Sequence, residues 1–163
     1  MARVVLIAGG NIGDVKSRLQ EVQKMINDRV GVVMRCSHRY KSEAWGFSAP
    51  EFTNQVMVAD TDLSPEQVLS RVQEIEGELG RDREAERREK ELSGQRYASR
   101  VIDIDILLYD DRVVDTEDLK IPHPRMAERE FVLTPLCEVM RERKHPQSGL
   151  TMEELREKLC RTS

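Results

Sequence analysis

The sequence predicts an α+β fold with a ferredoxin-like βαββαβ core, an antiparallel sheet with helices packed on it. Two observations carry this. Apolar runs and amphipathic stripes alternate in the order β-α-β-β-α-β between Val4 and Tyr109. The 163 residues hold no internal repeat and no linker rich in Pro, Gly or Ser, so a single domain is expected.

Val4–Ala8 is a short apolar run, read as a buried strand, and Gly9-Gly10-Asn11-Ile12-Gly13 punctuates it as a tight turn. Asp14 is placed to cap a helix whose apolar stripe is Val15, Leu19, Val22 and Ile26. Residues 30–40 predict a second strand, 41–51 a loop carrying Trp45, and 52–59 a third strand. Ser64-Pro65-Glu66-Gln67 combines a capping box with Pro at the first helical position. The helix behind it runs through Val68, Leu69, Val72, Ile75 and Leu79 and stops at Gly80. In 81–91 every residue but Ala85 is charged, which predicts a solvated charged helix extension or a loop. About twenty residues then separate helix from strand, and a connection that long in a compact domain is usually a functional lid or disordered. Val101–Tyr109 is the clearest strand. Asp110-Asp111 turns it, and Arg112–Val114 is expected to return as a hairpin strand. Residues 121–135 mix prolines with polar residues, and Thr151-Met152-Glu153-Glu154 caps a final helix bearing Leu155 and Leu159.

Composition narrows the function classes. A net charge of −4 argues against a general nucleic-acid binder. Cys36, Cys137 and Cys160 are odd in number and form no C-x-x-C pair, so neither a disulfide framework nor a zinc site is expected. No apolar stretch reaches the ~18 residues of a membrane span, and Val4–Ala8 is too short for a signal peptide, which makes the cytoplasm the expected location.

The chemistry sits on the strand at 101–109. Side chains alternate along a strand, so Ile102, Ile104, Ile106 and Leu108 share an apolar face and Asp103 and Asp105 point the other way. Asp is depleted in strand interiors. Two carboxylates on Cα atoms about 7 Å apart repel unless a cation lies between them. Hard oxygen ligands without a His or Cys cluster favour Mg²⁺, which usually also binds substrate phosphates. Arg81, Arg83, Arg96 and Arg100 bracket the segment before this strand and suit a polyphosphate. No G-x-x-x-x-G-K-[ST] cradle is present.

These residues give the chain a wider likeness. Arg96-Tyr97-Ala98-Ser99-Arg100-Val101-Ile102-Asp103-Ile104-Asp105 resembles the signature of the 6-hydroxymethyl-7,8-dihydropterin pyrophosphokinase family. Other blocks agree in order and spacing: Gly9–Asp14, Tyr40–Gly46, Phe52-Thr53-Asn54, Gln73-Glu74-Ile75-Glu76, Gly80-Arg81, Ile121-Pro122-His123 and Arg129-Glu130-Phe131. Gly10, Tyr97 and Ala98-Ser99 depart from the commoner family residues. The likeness divides the chain into a core at 3–137 and a C-terminal extension at 138–163. It implies transfer of pyrophosphate from ATP to the hydroxymethyl group of the dihydropterin, with release of AMP, in folate biosynthesis. It further implies that Asp103 and Asp105 bind two Mg²⁺ ions and that Arg81 and Arg100 join them in catalysis. Gln73, Glu76, Arg81, Arg83, Arg100, Ile106, His123 and Arg129 match nucleotide-site positions. Ser42, Glu43, Ala44, Gly46, Phe52, Asn54 and Phe131 match pterin-site positions. The partners implied are small molecules, with no nucleic acid and no membrane, and a monomer or weak homodimer is expected. Two rivals differ in class. A ferredoxin-like RNA binder would want stacked aromatics where this strand has aspartates, and a non-catalytic nucleotide sensor would not need the metal pair with Arg100.

Overall fold

The structure, a computed structural model, describes residues 1–42, 51–93 and 100–162. Its strands are β1 (Ala2–Gly10), β2 (Val32–Cys36), β3 (Tyr40–Ser42), β4 (Phe52–Thr61), β5 (Asp103–Tyr109), β6 (Val114–Asp115) and β7 (Lys120–Ile121). Its helices are α1 (Val15–Arg29), α2 (Pro65–Glu78), α3 (Arg83–Ser93), α4 (Glu130–Met140) and α5 (Met152–Thr162), with a 3₁₀ turn at Met126–Glu128. The main sheet is antiparallel in the order β2-β4-β1-β5, and β3 also pairs with β4. This is the ferredoxin-like order the sequence predicts.

Local chemistry sets the helix ends. Asp14 accepts a hydrogen bond from the Ser17 N–H at 3.2 Å and caps α1. Ser64 and Gln67 close a reciprocal capping box on α2, and Thr151 and Glu154 do the same for α5. Past α2, Gly80 takes a φ of 101°, a conformation that favours glycine.

The sheet is packed on both faces. On one, Val4, Leu6 and Ala8 of β1 meet Leu19, Val22 and Ile26 of α1 and Val68, Val72 and Ile75 of α2, joined by Ile102, Ile104 and Ile106. On the other, Val5, Ile7, Val56, Val58, Leu107 and Leu108 meet Val132, Leu133 and Leu136 of α4 and Met152 and Leu155 of α5. Full burial of each such side chain contributes about 1.5–3 kcal/mol. Among the described residues, no helix is long and apolar enough to cross a membrane.

Several elements differ from expectation. The single strand predicted at 30–40 is two, broken at residues 37–39. There Ser37 exchanges hydrogen bonds with Val56, its N–H to the carbonyl and its hydroxyl accepting from the amide. The charged run after Arg81 is helical, one of the two expected forms, but as a separate helix, α3, rather than an extension of α2; Asp82 starts it, its carboxylate accepting from the Glu84 and Ala85 amides. Leu108 does not share the isoleucine face. β1 pairs Leu6 with Ile106 but Val5 with Leu108, so Leu107 is an extra residue and the alternation inverts. Val114 returns not onto β5 but onto β7. Finally, α4 begins within the proline-bearing stretch at 121–135, to which the sequence reading assigned no element; Pro135 lies inside it.

Candidate active site

The register of the sheet assembles the site. Antiparallel pairing sets Tyr40, Asn54, Gly9 and Asp103 in one row across β3, β4, β1 and β5. The neighbouring row holds Val56, Ile7 and Asp105, and Ser42 pairs with Phe52 one step beyond Asn54. Paired residues project to the same face. Val56 and Ile7 belong to the core under α4 and α5, so the aspartates stand on that face, where the helical layer ends.

Asp103 is held by two arginines. Arg81 Nη1 donates to its Oδ1 at 2.9 Å, and Arg100 Nη1 to its Oδ2 at 2.9 Å. The same Arg81 nitrogen lies 2.5 Å from Glu76 Oε2, while Nε and Nη2 donate to the two oxygens of Glu86 at 3.0 and 3.1 Å. Glu76 is 2% exposed and also accepts from the Ile104 amide at 2.8 Å and from Arg83 at 3.0 Å. Burial holds its carboxyl above the ordinary carboxylate range, partly offset by the Ile104 amide and the Arg81 charge. Burial opposes the charge of Arg81, yet Glu86, Asp103 and Glu76 together hold that guanidinium above its ordinary value.

Asp105 is in the opposite condition. It keeps a partly accessible rim, but it is pushed up to about 7, first by burial and then by the charge of Asp103, with Arg100 and Arg129 pulling the other way. This acidic pair is unbalanced as it stands, and a divalent cation would relieve it. Among the described residues, no group of three or more His, Cys, Asp or Glu is arranged to hold a metal ion. A two-carboxylate site fits Mg²⁺, which keeps waters and phosphate oxygens in its remaining positions.

Four further features frame the pair. Gln73, Glu76, Gly80, Arg81 and Arg83 line a cleft of about 470 Å³ at the end of α2. His123 follows the cis Ile121–Pro122 bond and donates its backbone N–H to the Leu107 carbonyl at 3.0 Å. Burial and the Arg129 charge hold its imidazole below the usual histidine value, against the pull of Asp103. The Arg129 guanidinium lies 5.5 Å from the centre of the Phe131 ring. On the β3–β4 side, Asn54 Nδ2 donates to Ser42 Oγ at 3.0 Å. A Cβ at Gly9 would lie 2.2 Å from Asn54 Oδ1, so the carboxamide occupies the space that this glycine leaves bare.

The structure therefore gathers Gln73, Glu76, Arg81, Arg83, Arg100, Asp103 and Asp105, with His123 and Arg129 close enough to act electrostatically on the aspartates. Ser42, Phe52 and Asn54 share the β3–β4 end of the same sheet. The side chain of Ile106 lies in the core on the α1 and α2 face. Because the Ile104 amide points off the open edge of β5, the Ile106 main chain two residues on points the same way. Glu43, Ala44, Trp45 and Gly46 lie outside the described residues, as do Arg96, Tyr97, Ala98 and Ser99.

Four contributors escaped the sequence reading: Gly9, Asn11, Arg18 and Glu86. Buried Asn11 accepts from the Arg100 amide at 2.8 Å and donates its own amide to the Arg100 carbonyl at 2.9 Å. Arg18 Nη1 donates to the Ile12 and Val101 carbonyls, both at 2.7 Å. The first loop thus fixes the chain that carries Arg100. The signal for Asn11 was its position after Gly9-Gly10, where a turn explained it equally well.

A protein-family model described as 7,8-dihydro-6-hydroxymethylpterin-pyrophosphokinase (HPPK) matches residues 5–141. A curated protein of Porphyromonas gingivalis, 2-amino-4-hydroxy-6-hydroxymethyldihydropteridine pyrophosphokinase, is 40% identical over 141 residues, covering 85% of this chain and 91% of its own. The protein of that name in Bacillus subtilis is 37% identical over 142 residues, covering 85% of this chain and 79% of its own. Among solved structures, Plasmodium falciparum HPPK-DHPS with pteroate aligns with a TM-score of 0.71 at 15% identity. It covers 96% of this chain, which spans 42% of that longer one. At that identity the likeness concerns the fold.

Proposed function

The chain belongs to the 7,8-dihydro-6-hydroxymethylpterin-pyrophosphokinase family, and from that premise we propose how its residues divide the work of the reaction. The activity is transfer of a pyrophosphoryl group from ATP to hydroxymethyldihydropterin, a step of folate biosynthesis. The hydroxymethyl oxygen bonds to the β-phosphorus, the bond between α- and β-phosphoryl groups breaks, its electrons stay with AMP, and the hydroxyl proton is lost.

We propose that Asp103 and Asp105 hold Mg²⁺, two ions being expected. The observation that carries this is the strained carboxylate pair on one face of β5. Bound there, Mg²⁺ supplies charge neutralisation and alignment of the triphosphate oxygens. The rest falls to the chain. Arg81, Arg83, Arg100, His123 and Arg129 bind phosphate oxygens and stabilise the charge that develops on them. Gln73, Glu76 and the main chain of Ile106 bind the nucleoside portion at the end of α2. Asn54 presents a donor and an acceptor to the pterin edge, held by Ser42, while Phe52 and Phe131 flank the flat ring. Glu43, Ala44 and Gly46 complete that edge in the same proposal. The row from Asn54 across bare Gly9 to Asp103 spans about two strand spacings, roughly 10 Å. A flat substrate bound edge-on at Asn54 thereby directs its hydroxymethyl arm toward the aspartates.

We also propose that the whole chain, 1–163, is one domain acting in the cytoplasm as a monomer or weak homodimer. The deciding experiment mixes ATP, MgCl₂ and the hydroxymethyl dihydropterin and follows AMP. AMP formation that needs all three is expected. Equal AMP formation in the presence of EDTA would remove the metal from the proposal.

A further inference from the structure

Resting on the phosphate-site reading above, we infer that Glu86 is an internal competitor of the triphosphate, occupying donors of Arg81 and pairing by charge with Arg100 until a polyphosphate displaces it. Glu86 meets Arg81 in a two-pronged fork, its oxygens 3.0 and 3.1 Å from Nε and Nη2. That is the arrangement a phosphate would take on the same guanidinium. A Glu86 oxygen also lies 3.7 Å from Arg100 Nε, so one carboxylate bridges both arginines. Arg81 Nη1 is meanwhile committed to Glu76 and Asp103. Of five N–H groups, at most one is left for a ligand. The side chain is 4% exposed. Arg81 cannot grip a phosphate while Glu86 holds it.

The element that carries Glu86 is suited to leaving. None of the described α3 side chains belongs to either core, and Leu92 on this helix is 89% exposed. Asp82 caps the helix from within its own segment, so that cap survives a movement. What docks α3 beside β5 is ionic, and it can be exchanged for another anion at little cost in packing. Charge points the same way. Glu76, Glu86, Asp103 and Asp105 already face Arg81, Arg83 and Arg100. A polyanion entering beside all four carboxylates would be repelled, whereas departure of Glu86 leaves three carboxylates balanced by three arginines and lowers that repulsion.

The rival view, that Glu86 positions Arg81 for catalysis, predicts the opposite sign. Inorganic triphosphate in MgCl₂ is titrated calorimetrically into wild type, Glu86→Gln, Arg81→Met and the double variant, with Glu86→Ser as a second test of the same position. Either Glu86 variant should bind triphosphate about tenfold tighter, the equivalent of one good charge-assisted contact regained. The apparent KM for ATP should fall with it, and the gain should vanish in the Arg81→Met background. Unchanged or weaker binding in Glu86→Gln and Glu86→Ser overturns the inference. If instead Arg81→Met binds triphosphate as wild type does, the phosphate-site reading itself fails, whatever Glu86 does.

Discussion

Replacing Asp105 by Asn should stabilise the metal-free protein while abolishing its activity. The wild-type carboxyl is pushed from 3.8 to about 7 by burial and by Asp103. At about 1.4 kcal/mol per pKa unit, the three units between those values set a ceiling of about 4 kcal/mol. The accessible rim of the side chain lets solvent absorb part of this, leaving about 2 kcal/mol. The sign follows from proton binding. Between roughly pH 4 and pH 7 the folded state holds a proton that the unfolded chain has released, so stability falls as pH rises through that window. Asn is neutral throughout and escapes the loss. For a chain of this length 1 kcal/mol moves Tm by about 2–4 °C, so Asp105→Asn should melt about 4–8 °C above wild type near pH 8. Near pH 4 the two should nearly coincide. Thermal unfolding followed by circular dichroism in EDTA at both pH values tests this. A lower Tm for the variant near pH 8, or an equal gain at both, would refute the argument that burial and Asp103 strain this carboxylate.

Other expectations follow from the same geometry. Asp103→Ala should cut AMP formation by about a thousandfold or more, the scale of a lost electrostatic contact to the transition state, with the circular dichroism spectrum kept. Asn54→Ala should raise the KM for the pterin about tenfold to a hundredfold and leave the KM for ATP in place, as steady-state kinetics would reveal. Leu133→Ala, in the core beneath α4, should cost about 3 kcal/mol in urea unfolding. Glu138→Ala frees the His38 amide and imidazole and the Tyr40 hydroxyl, which now bind its carboxylate; a loss of about 1 kcal/mol is expected in the same assay.

Elements with strong local signals were legible in the sequence. The stripe from Val15 to Ile26, the capping box at Ser64 and the alternation of Asp103 and Asp105 against isoleucines each have one physical interpretation, and tertiary packing reinforced it. The failures came where two local rules conflicted or where a partner decided the outcome. Pro135 reads as a breaker, but α4 buries Val132, Leu133 and Leu136 against the sheet, and that burial outweighs a missing hydrogen bond. The bulge at Leu107 leaves no mark in a run of uniformly apolar residues. The helix α3 has almost no apolar stripe, so periodicity could not reveal it; its anchor is an ion pair with Arg81. In the site, the aspartates were found because carboxylates are rare in strands. Glu86 was hidden because one glutamate in a charged run carries no distinguishing signal, and Gly9 because a glycine after a strand is already explained by a turn.

The bare rung at Gly9 bears on how this enzyme could be inhibited and how it could escape. A compound that displaced the Asn54 carboxamide there would lean on main chain, which substitution cannot remove. The simplest escape is to fill the space with a side chain, but a methyl group at that position would sit 2.2 Å from Asn54 Oδ1 and 2.8 Å from the Thr53 carbonyl oxygen. A resistant mutant would therefore disturb the amide proposed to recognise its own substrate. Drug pressure and metabolic fitness pull against each other at this residue, so scaffolds that touch it should be slow to lose potency.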